Sequence, residues 1–476
     1  MLFQSLDFLL LFPIVIVVYF ALNTSYRWVW VLLTSYGFYM FWNPWYIVLL
    51  WTSTVLDYVA AIRIHSSKKQ SVRKGWLILS LIVNLGLLGI FKYFNFFSEQ
   101  FAWLIRLRDP DFEPFFLDFL LPIGISFYTF QTIGYTIDVF RKNQQPVRHL
   151  GKFAIYVSFF PQLVAGPIER ARDLLPQLHF NYKFDAARVT GGLRLFLWGL
   201  FKKLVVADYI GLYVGSVYAT PDNHGGWTVL FASYLFFFQI YYDFSAYQDM
   251  AVGTARILGV RLSKNFDPLI LLSSSFRNFW RGWHITLTHW IRDYVYIPLN
   301  LNEKNLAHLS IGPLYIFFFV GLWHGANWTY IIWGVLHGIY MIIERALQPV
   351  STFLDNALLG KRGIKFLGFL LFFNAFTLAN IFFCSTSAEQ AIMMIGKIFT
   401  APTVSLNPGI SSFKLQVMLT ALAFAVVFEY SRKHLPTLEL LNLKHTWLRW
   451  SLYLLMGLAV WFLRIPSDVQ FIYFEF

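Results

Sequence analysis

The sequence predicts an all-α polytopic membrane protein of about eleven to twelve transmembrane helices, joined by further re-entrant or amphipathic helices. Three observations carry that prediction. Of the 476 residues, 57% are hydrophobic and only 13% charged, where a soluble domain has about a quarter charged. Apolar runs of roughly 15 to 25 residues recur along the whole length. The basic residues then segregate: with the N-terminus outside, the inside connections hold about 28 Lys and Arg and the outside ones about 4, the asymmetry that fixes orientation in a membrane. The same distribution explains the formal charge of +13 as cytoplasmic loops, so no nucleic-acid partner is expected.

In chain order, the first run, near residues 7 to 22, has only Asp7 ahead of FLLLFPIVIVVYF. With no basic stretch before it and no small-residue cleavage site, it reads as a retained helix and not a signal peptide. Runs near 28 to 42, 45 to 62 and 76 to 97 follow, the last two separated by the basic RIHSSKKQSVRKG (Arg63 to Gly75). The next are near 115 to 139, 192 to 211 and 226 to 242, with inside connections from Phe140 to Gly191 and from Asp243 to Ser310. Then come 309 to 323, 327 to 344, 366 to 384, 413 to 430 and 447 to 463. An even count returns the C-terminus outside, and Arg432, Lys433, Lys444 and Arg449 flank the inner ends of the last two runs. Both termini are therefore expected on the extracytoplasmic side. No internal repeat stands out, which lowers a transporter reading without removing it. The single cysteine, Cys384, excludes an internal disulfide.

Two segments differ from ordinary bilayer helix. In SSSFRNFWRGWHITLTHWIRDYVYIPLN (Ser273 to Asn300), plotted at 100° per residue, Arg277, Arg281, His284, Thr288 and Arg292 share roughly 80° of arc. Phe276, Trp280, Trp283, Leu287 and Trp290 form an apolar stripe beside them. A basic amphipathic helix on the cytoplasmic interface would give this pattern. So would a re-entrant helix lining a watery cavity, where Arg277, Arg281, Arg292 and Trp283 bind a phosphorylated donor such as a coenzyme and His284 faces the same water. His289 points away and reads as structural. In FFFVGLWHGANWTYIIWGVLHGIYMIIER (Phe317 to Arg345), His324 sits at a Gly-rich break. An intramembrane histidine must face a cavity or a partner; a buried ring bonded to a helix carbonyl is the alternative. His337 lies about 220° round and roughly 20 Å along from it on a continuous helix, so the two share a site only if the helix breaks. No carboxylate or thiolate falls at ligand spacing from either histidine, and no metal is expected.

PIGISFYTFQTIGYTIDVFR (Pro122 to Arg141), FFPQLVAGPIER (Phe159 to Arg170), YYDFSAYQDMAVG (Tyr241 to Gly253), FRNFWRGWHITLTHWIRDYVYIPL and GLWHGANWTYIIWGVLHG, in that order, resemble the membrane-bound O-acyltransferase (MBOAT) superfamily. The resemblance is to its bacterial branch of AlgI-type polysaccharide O-acetylation proteins, with peptidoglycan O-acetylation and teichoic acid D-alanylation relatives. It runs the length of the chain, with the most specific motifs between residues 122 and 340. It implies a single acyltransferase domain over 1–476, a many-helix fold around a central funnel, and a cytosolic acyl thioester, acetyl-CoA above all, as donor substrate with no bound cofactor. His324 matches the family's key WHG histidine and His284 its second histidine. Cys384 stands where relatives often carry arginine.

The resemblance also bears on the final helix and its segment FIYFEF, over 447–476. The teichoic acid system uses a small partner with a motif like FIYxxF as an acyl relay, and here that partner looks fused on. Tyr473 would accept the acyl group, with Phe471, Ile472, Phe474 and Phe476 buried round it; an interfacial aromatic anchor is the competing reading. A periplasmic SGNH or esterase-like O-acetyltransferase partner would then esterify a cell-surface polysaccharide, an alginate-like exopolysaccharide first, peptidoglycan or cellulose next. Membrane lipid surrounds the whole. Against this enzyme stand a flippase or transporter of a lipid-linked saccharide, which would line several spans with acids and bases, and a non-catalytic scaffold, in which His324 would be dispensable.

Overall fold

A computed structural model describes residues 1–267, 270–299, 306–354, 360–405, 409–431, 433–435, 439, 441–465 and 471–472. Helices dominate, and among these residues the β pairing is confined to one isolated bridge, Phe266 with Trp283. The protein is an all-α polytopic membrane protein. Among the described residues, four helices are long and apolar enough by themselves to cross a membrane, Pro44–Ser66, Gln70–Arg106, Gly360–Cys384 and Ser412–Ser431; Leu6–Ala21 and Ile311–His324 are shorter apolar helices. Several other expected spans form helices too short to stand among these four, such as Leu6–Ala21 with 16 residues and Thr446–Phe462 with 17.

The chain divides into two compact units, Met1–Phe196 with Gln248–Ser263, and Leu197–Tyr247 with Lys264–Phe476. In the first, α1 (Leu6–Ala21) and α2 (Thr24–Met40) start at side-chain caps. Ser5 accepts from the Phe8 N–H and Asn23 from the Ser25 N–H, satisfying donors that helix starts leave open. The helices α3 (Ile47–Ser66), α4 (Gln70–Leu88) and α5 (Phe94–Arg106) follow, α4 and α5 being joined through a π-helical turn at Gly89–Tyr93. The expected run at 115 to 139 begins its helix only at Ile125, as α6 (Ile125–Phe140). Gly124 precedes it at φ +75°, and a β-carbon there would lie 2.5 Å from the Leu163 carbonyl, so the chain turns there as only glycine can. The short α7 (Leu150–Ser158) completes this set.

The second unit takes up the chain at Leu197, gives back Gln248–Ser263 to the first, and holds every helix after Lys264. The helix α8 (Ala186–Phe201) passes through a π-helical segment, Lys202–Ala207, into α9 (Asp208–Ala219). α10 (Gly226–Ile257) runs 32 residues, well past the expected end at 242, so Asp243 and Asp249 are helical and not in a connection. Two seven-residue helices follow, α11 (Phe276–Gly282) and α12 (Ile285–Ile291). After them come α13 (Leu306–His324), α14 (Trp328–Ala346), α15 (Gly360–Cys384), α16 (Ala388–Thr400), α17 (Ser412–Ser431) and α18 (Thr446–Phe462).

The pair that positions the site is the α13–α14 hairpin. The chain reverses at Gly325 to Asn327, where the Asn327 side chain caps α14 by accepting from the Thr329 N–H at 3.0 Å. Glycines let the two backbones touch. A β-carbon on Gly334 would lie 2.1 Å from the Phe317 carbonyl oxygen, and one on Gly321 2.3 Å from the Tyr330 carbonyl. Small residues at such crossings replace the hydrophobic drive that a lipid environment does not supply.

Candidate active site

The segment with the basic stripe is not one helix. It breaks at Trp283–His284, with His284 in the left-handed region at φ 44° and ψ 53°, a conformation that costs a non-glycine residue roughly 1–2 kcal/mol. The break has identifiable supports. The loop at 265–267 runs alongside it: the Asp267 N–H donates to the Gly282 carbonyl at 2.9 Å and the Ile285 N–H to the Asn265 carbonyl at 3.0 Å. The Asn265 side-chain oxygen accepts from both the backbone N–H and the hydroxyl of Thr286, each at 3.0 Å, and lies 3.3 Å from His284 Nδ1. Asn265 thus caps α12 and sets the orientation of the imidazole in one move.

Despite the break, the polar stripe survives. Arg277, Arg281, His284, Thr288 and Arg292 all line one cavity of 240 Å³, which α13 closes from the other side with Phe317, Val320 and His324. Trp280, Trp283 and Leu287 complete its walls. Every candidate among Arg277, Arg281, Arg292, Trp283, His284 and His324 is therefore gathered at one place. Their environments differ. The arginines are exposed, and Arg292 holds Asp293 at 2.8 Å with its side chain 54% exposed. His284 and His324 are 1% and 4% exposed, and Trp283 is buried with them. The cavity grades from a wet cationic rim to a dry imidazole floor.

Aromatic rings fix that floor. Trp323 stands between the histidines, with ring centroids 5.9 Å from His284 and 4.9 Å from His324. His324 packs edge-on against Trp333 at 5.0 Å and Phe383 at 5.2 Å, and Trp333 is itself held by its N–H to Asn380 at 3.1 Å. The hairpin supplies the break that a shared neighbourhood for the two α13–α14 histidines needs. His337 contacts the other side of Trp333 at 4.7 Å, but it does not line the cavity. His289 is exposed on α12. No group of three metal-ligating side chains occurs among the described residues.

Tyr473, Phe474, Glu475 and Phe476 lie outside the described residues. The two residues before them do not. Phe471 and Ile472 are 1% and 8% exposed, the Phe471 ring meeting Phe244 and Tyr247 at 5.9 and 5.1 Å. Phe244 in turn packs against His284 at 4.9 Å.

The profile of the MBOAT, or membrane-bound O-acyltransferase, family matches residues 139–388, which include α11 to α14 and the whole cavity. The chain belongs to this family. Among its relatives, the peptidoglycan O-acetyltransferase of Helicobacter pylori is 34% identical over 407 residues, 79% of this chain and 74% of that protein. The probable alginate O-acetylase AlgI of Azotobacter vinelandii is 39% identical over 353 residues, 73% and 69% of the two chains. The teichoic acid D-alanyltransferase of Bacillus subtilis is 28% identical over 232 residues, 46% and 58%. As a member of the membrane-bound O-acyltransferases, the chain is a membrane-embedded O-acyltransferase, and the transporter and scaffold readings fall away.

Several parts of the unit were not singled out from sequence. Asn265 and Asn380 act through other side chains and carry no motif signal, and Trp333 lies inside a quoted motif without standing out in it. Lys202 and Lys203 did carry one: two adjacent lysines inside an apolar run need carboxylate partners. Lys203 Nζ lies 2.7 Å from Asp243 and 2.9 Å from Asp208, while Lys202 donates to Ser245 at 2.9 Å and lies 3.7 Å from Glu429.

Proposed function

We propose that the chain transfers an acetyl group from acetyl-CoA, bound at the cavity rim, through the histidine floor to Tyr473, and from there to a periplasmic SGNH or esterase-like O-acetyltransferase. That partner esterifies hydroxyls of a cell-surface polysaccharide, an alginate-like exopolysaccharide first among the candidates, with peptidoglycan and cellulose in the same chemical class. One observation carries the reading: three arginines at the exposed rim and two buried histidines at the floor line a single cavity. Guanidinium groups suit the phosphates of a coenzyme, while a dry floor protects a thioester from hydrolysis.

In the first step an imidazole, His324 or His284, removes the phenol proton of Tyr473 as general base. The phenolate oxygen adds to the thioester carbonyl, the carbon–sulfur bond breaks, and the thiolate leaves to take up a proton. A phenol of pKa about 10 yields an aryl ester that keeps much of the thioester's transfer potential. The partner's serine hydroxyl then takes the acetyl group and the phenol is restored. The charge asymmetry of the connections supports a bacterial inner-membrane protein with its basic loops on the cytoplasmic side, donor entry from that side and Tyr473 on the periplasmic side.

The test is peptide mass spectrometry on purified protein incubated with acetyl-CoA, beside His324→Ala. Acetyl on Tyr473 in the wild type, absent from the variant, is the expected result. Clear consumption of acetyl-CoA with Tyr473 never modified, even without the partner, would remove the relay and leave direct transfer to the partner.

A further inference from the structure

The geometry points to Asp243 as the latch that holds Phe471 and Ile472 inside the second unit, which makes it a positioning residue for the Tyr473 that follows them in the sequence; this use of the latch rests on the relay proposed above. The Ile472 N–H donates to Asp243 Oδ2 at 2.8 Å, and Ile472 directly precedes Tyr473 in the sequence. Few interactions tie a backbone amide more firmly than a desolvated carboxylate, since charge-assisted hydrogen bonds are roughly twice as strong as neutral ones. Asp243 is 1% exposed, so water does not compete.

The carboxylate is held ready for that amide. Its other oxygen pairs with Lys203 at 2.7 Å, and Lys203 is shared with Asp208 at 2.9 Å. Two lysines, 202 and 203, here meet three carboxylates, Asp208, Asp243 and Glu429. The Ile472 amide adds a neutral donor to this buried cluster. Position adds a second reason. Asp243 is followed on α10 by Phe244, whose ring touches both Phe471 at 5.9 Å and the cavity-floor His284 at 4.9 Å. The latch therefore fixes Phe471 one aromatic ring away from an imidazole of the floor.

Hydrogen–deuterium exchange on the full-length protein in detergent tests the latch without reference to acyl transfer. The peptide containing residues 471–476 should exchange slowly in the wild type and at least tenfold faster in Asp243→Leu. Asp243→Asn keeps an acceptor and should stay within about threefold of the wild type. Peptides from α14 should be unaltered, which separates unlatching from unfolding. If Asp243→Leu does not fold, Ile472→Pro removes the donor and leaves the Asp243–Lys203 pair intact, with Ile472→Val as its control; the proline variant should free the segment and the valine variant should not. Fast exchange of the segment in the wild type, or equal exchange in the proline and valine variants, would overturn the latch. Acetyl mapping on the same samples keeps the two ideas apart. A slow segment that never carries acetyl rejects the relay alone, whereas a segment acetylated equally in Ile472→Pro and Ile472→Val rejects the positioning role alone.

Discussion

Asn265→Ala is the perturbation that most directly tests how the imidazole floor is built. The side-chain oxygen of Asn265 accepts two hydrogen bonds from Thr286 and faces His284 Nδ1. Asn265 and Thr286 are 3% and 8% exposed. Truncation leaves a buried N–H and a buried hydroxyl without their acceptor, each costing about 1–3 kcal/mol, and it uncaps α12. Together these give a loss of about 3 kcal/mol, concentrated where His284 already sits in a left-handed conformation. The imidazole should then leave its place, and a displacement of about 1 Å suffices for roughly a 100-fold loss of rate. In a thioester-consumption assay on purified protein, Asn265→Ala should lower kcat by that order with a much smaller change in KM, because the arginine rim is untouched. Asn265→Asp keeps the acceptor oxygens and should recover part of the rate. If Asn265→Ala turns over at the wild-type rate with unchanged thermal unfolding, then the carboxamide does not hold His284 and the reasoning fails.

The rim should behave differently: Arg277→Ala with Arg281→Ala should raise the KM for acetyl-CoA about 5- to 30-fold and leave kcat nearly alone, an effect that added salt should mimic. Gly334→Ala forces a β-carbon to 2.1 Å from the Phe317 carbonyl. It should separate α13 from α14 at a cost of about 1–3 kcal/mol or more, read as lower yield and a lower unfolding midpoint in detergent. Glu169, in the connection between α7 and α8, is pushed up to about 7 by burial, which outweighs the opposing hydrogen bonds from the Ser263 N–H and hydroxyl. Its folded pKa thus exceeds the ordinary carboxyl value of 4.5, so its contribution to stability is complete below pH 4.5 and lost as pH rises through 7. Unfolding midpoints should fall from about pH 4.5 to about pH 7 in the wild type, and Glu169→Gln should flatten that fall.

The membrane class was legible in composition because a bilayer leaves a protein few other ways to be so apolar. The cavity residues were legible because period and chemistry coincide: five polar side chains at helical spacing beside four tryptophans or phenylalanines have no place against lipid. The break between α11 and α12 was not, since a left-handed histidine looks in sequence like any other and its support comes from Asn265, nineteen residues away. Helix bounds failed for similar reasons. Gly124 delayed the start of α6 through its backbone conformation, and α10 outran its apolar part because Asp243, Ser245 and Gln248 are buried in the protein and not set in water. Lys202 and Lys203 stand out within an apolar run, but which acids they meet does not, because those partners lie on other helices.

One local feature joins the rim to the latch. Beyond the turn at Gly89–Tyr93, π-helical segments occur at Lys202–Ala207 and Arg292–Tyr296. The first carries both buried lysines, and the second begins with the arginine at the cavity rim. A π turn holds an extra residue and rotates the side chains after it relative to an α-helix, which is why such turns collect at functional positions. At Lys202 and Lys203 the extra residue lets adjacent lysines reach different acids, Glu429 for one and Asp208 with Asp243 for the other. After α12, it lets the chain leave the helix while Arg292 still lines the cavity. Deleting one residue from Lys202–Ala207 would restore α-helical phase, turn one lysine toward apolar surroundings and strand its carboxylate partners. The chain should then lose stability out of proportion to the loss of a single residue, whereas a deletion in the π turn at Arg292–Tyr296 should spare stability and raise the KM for the donor.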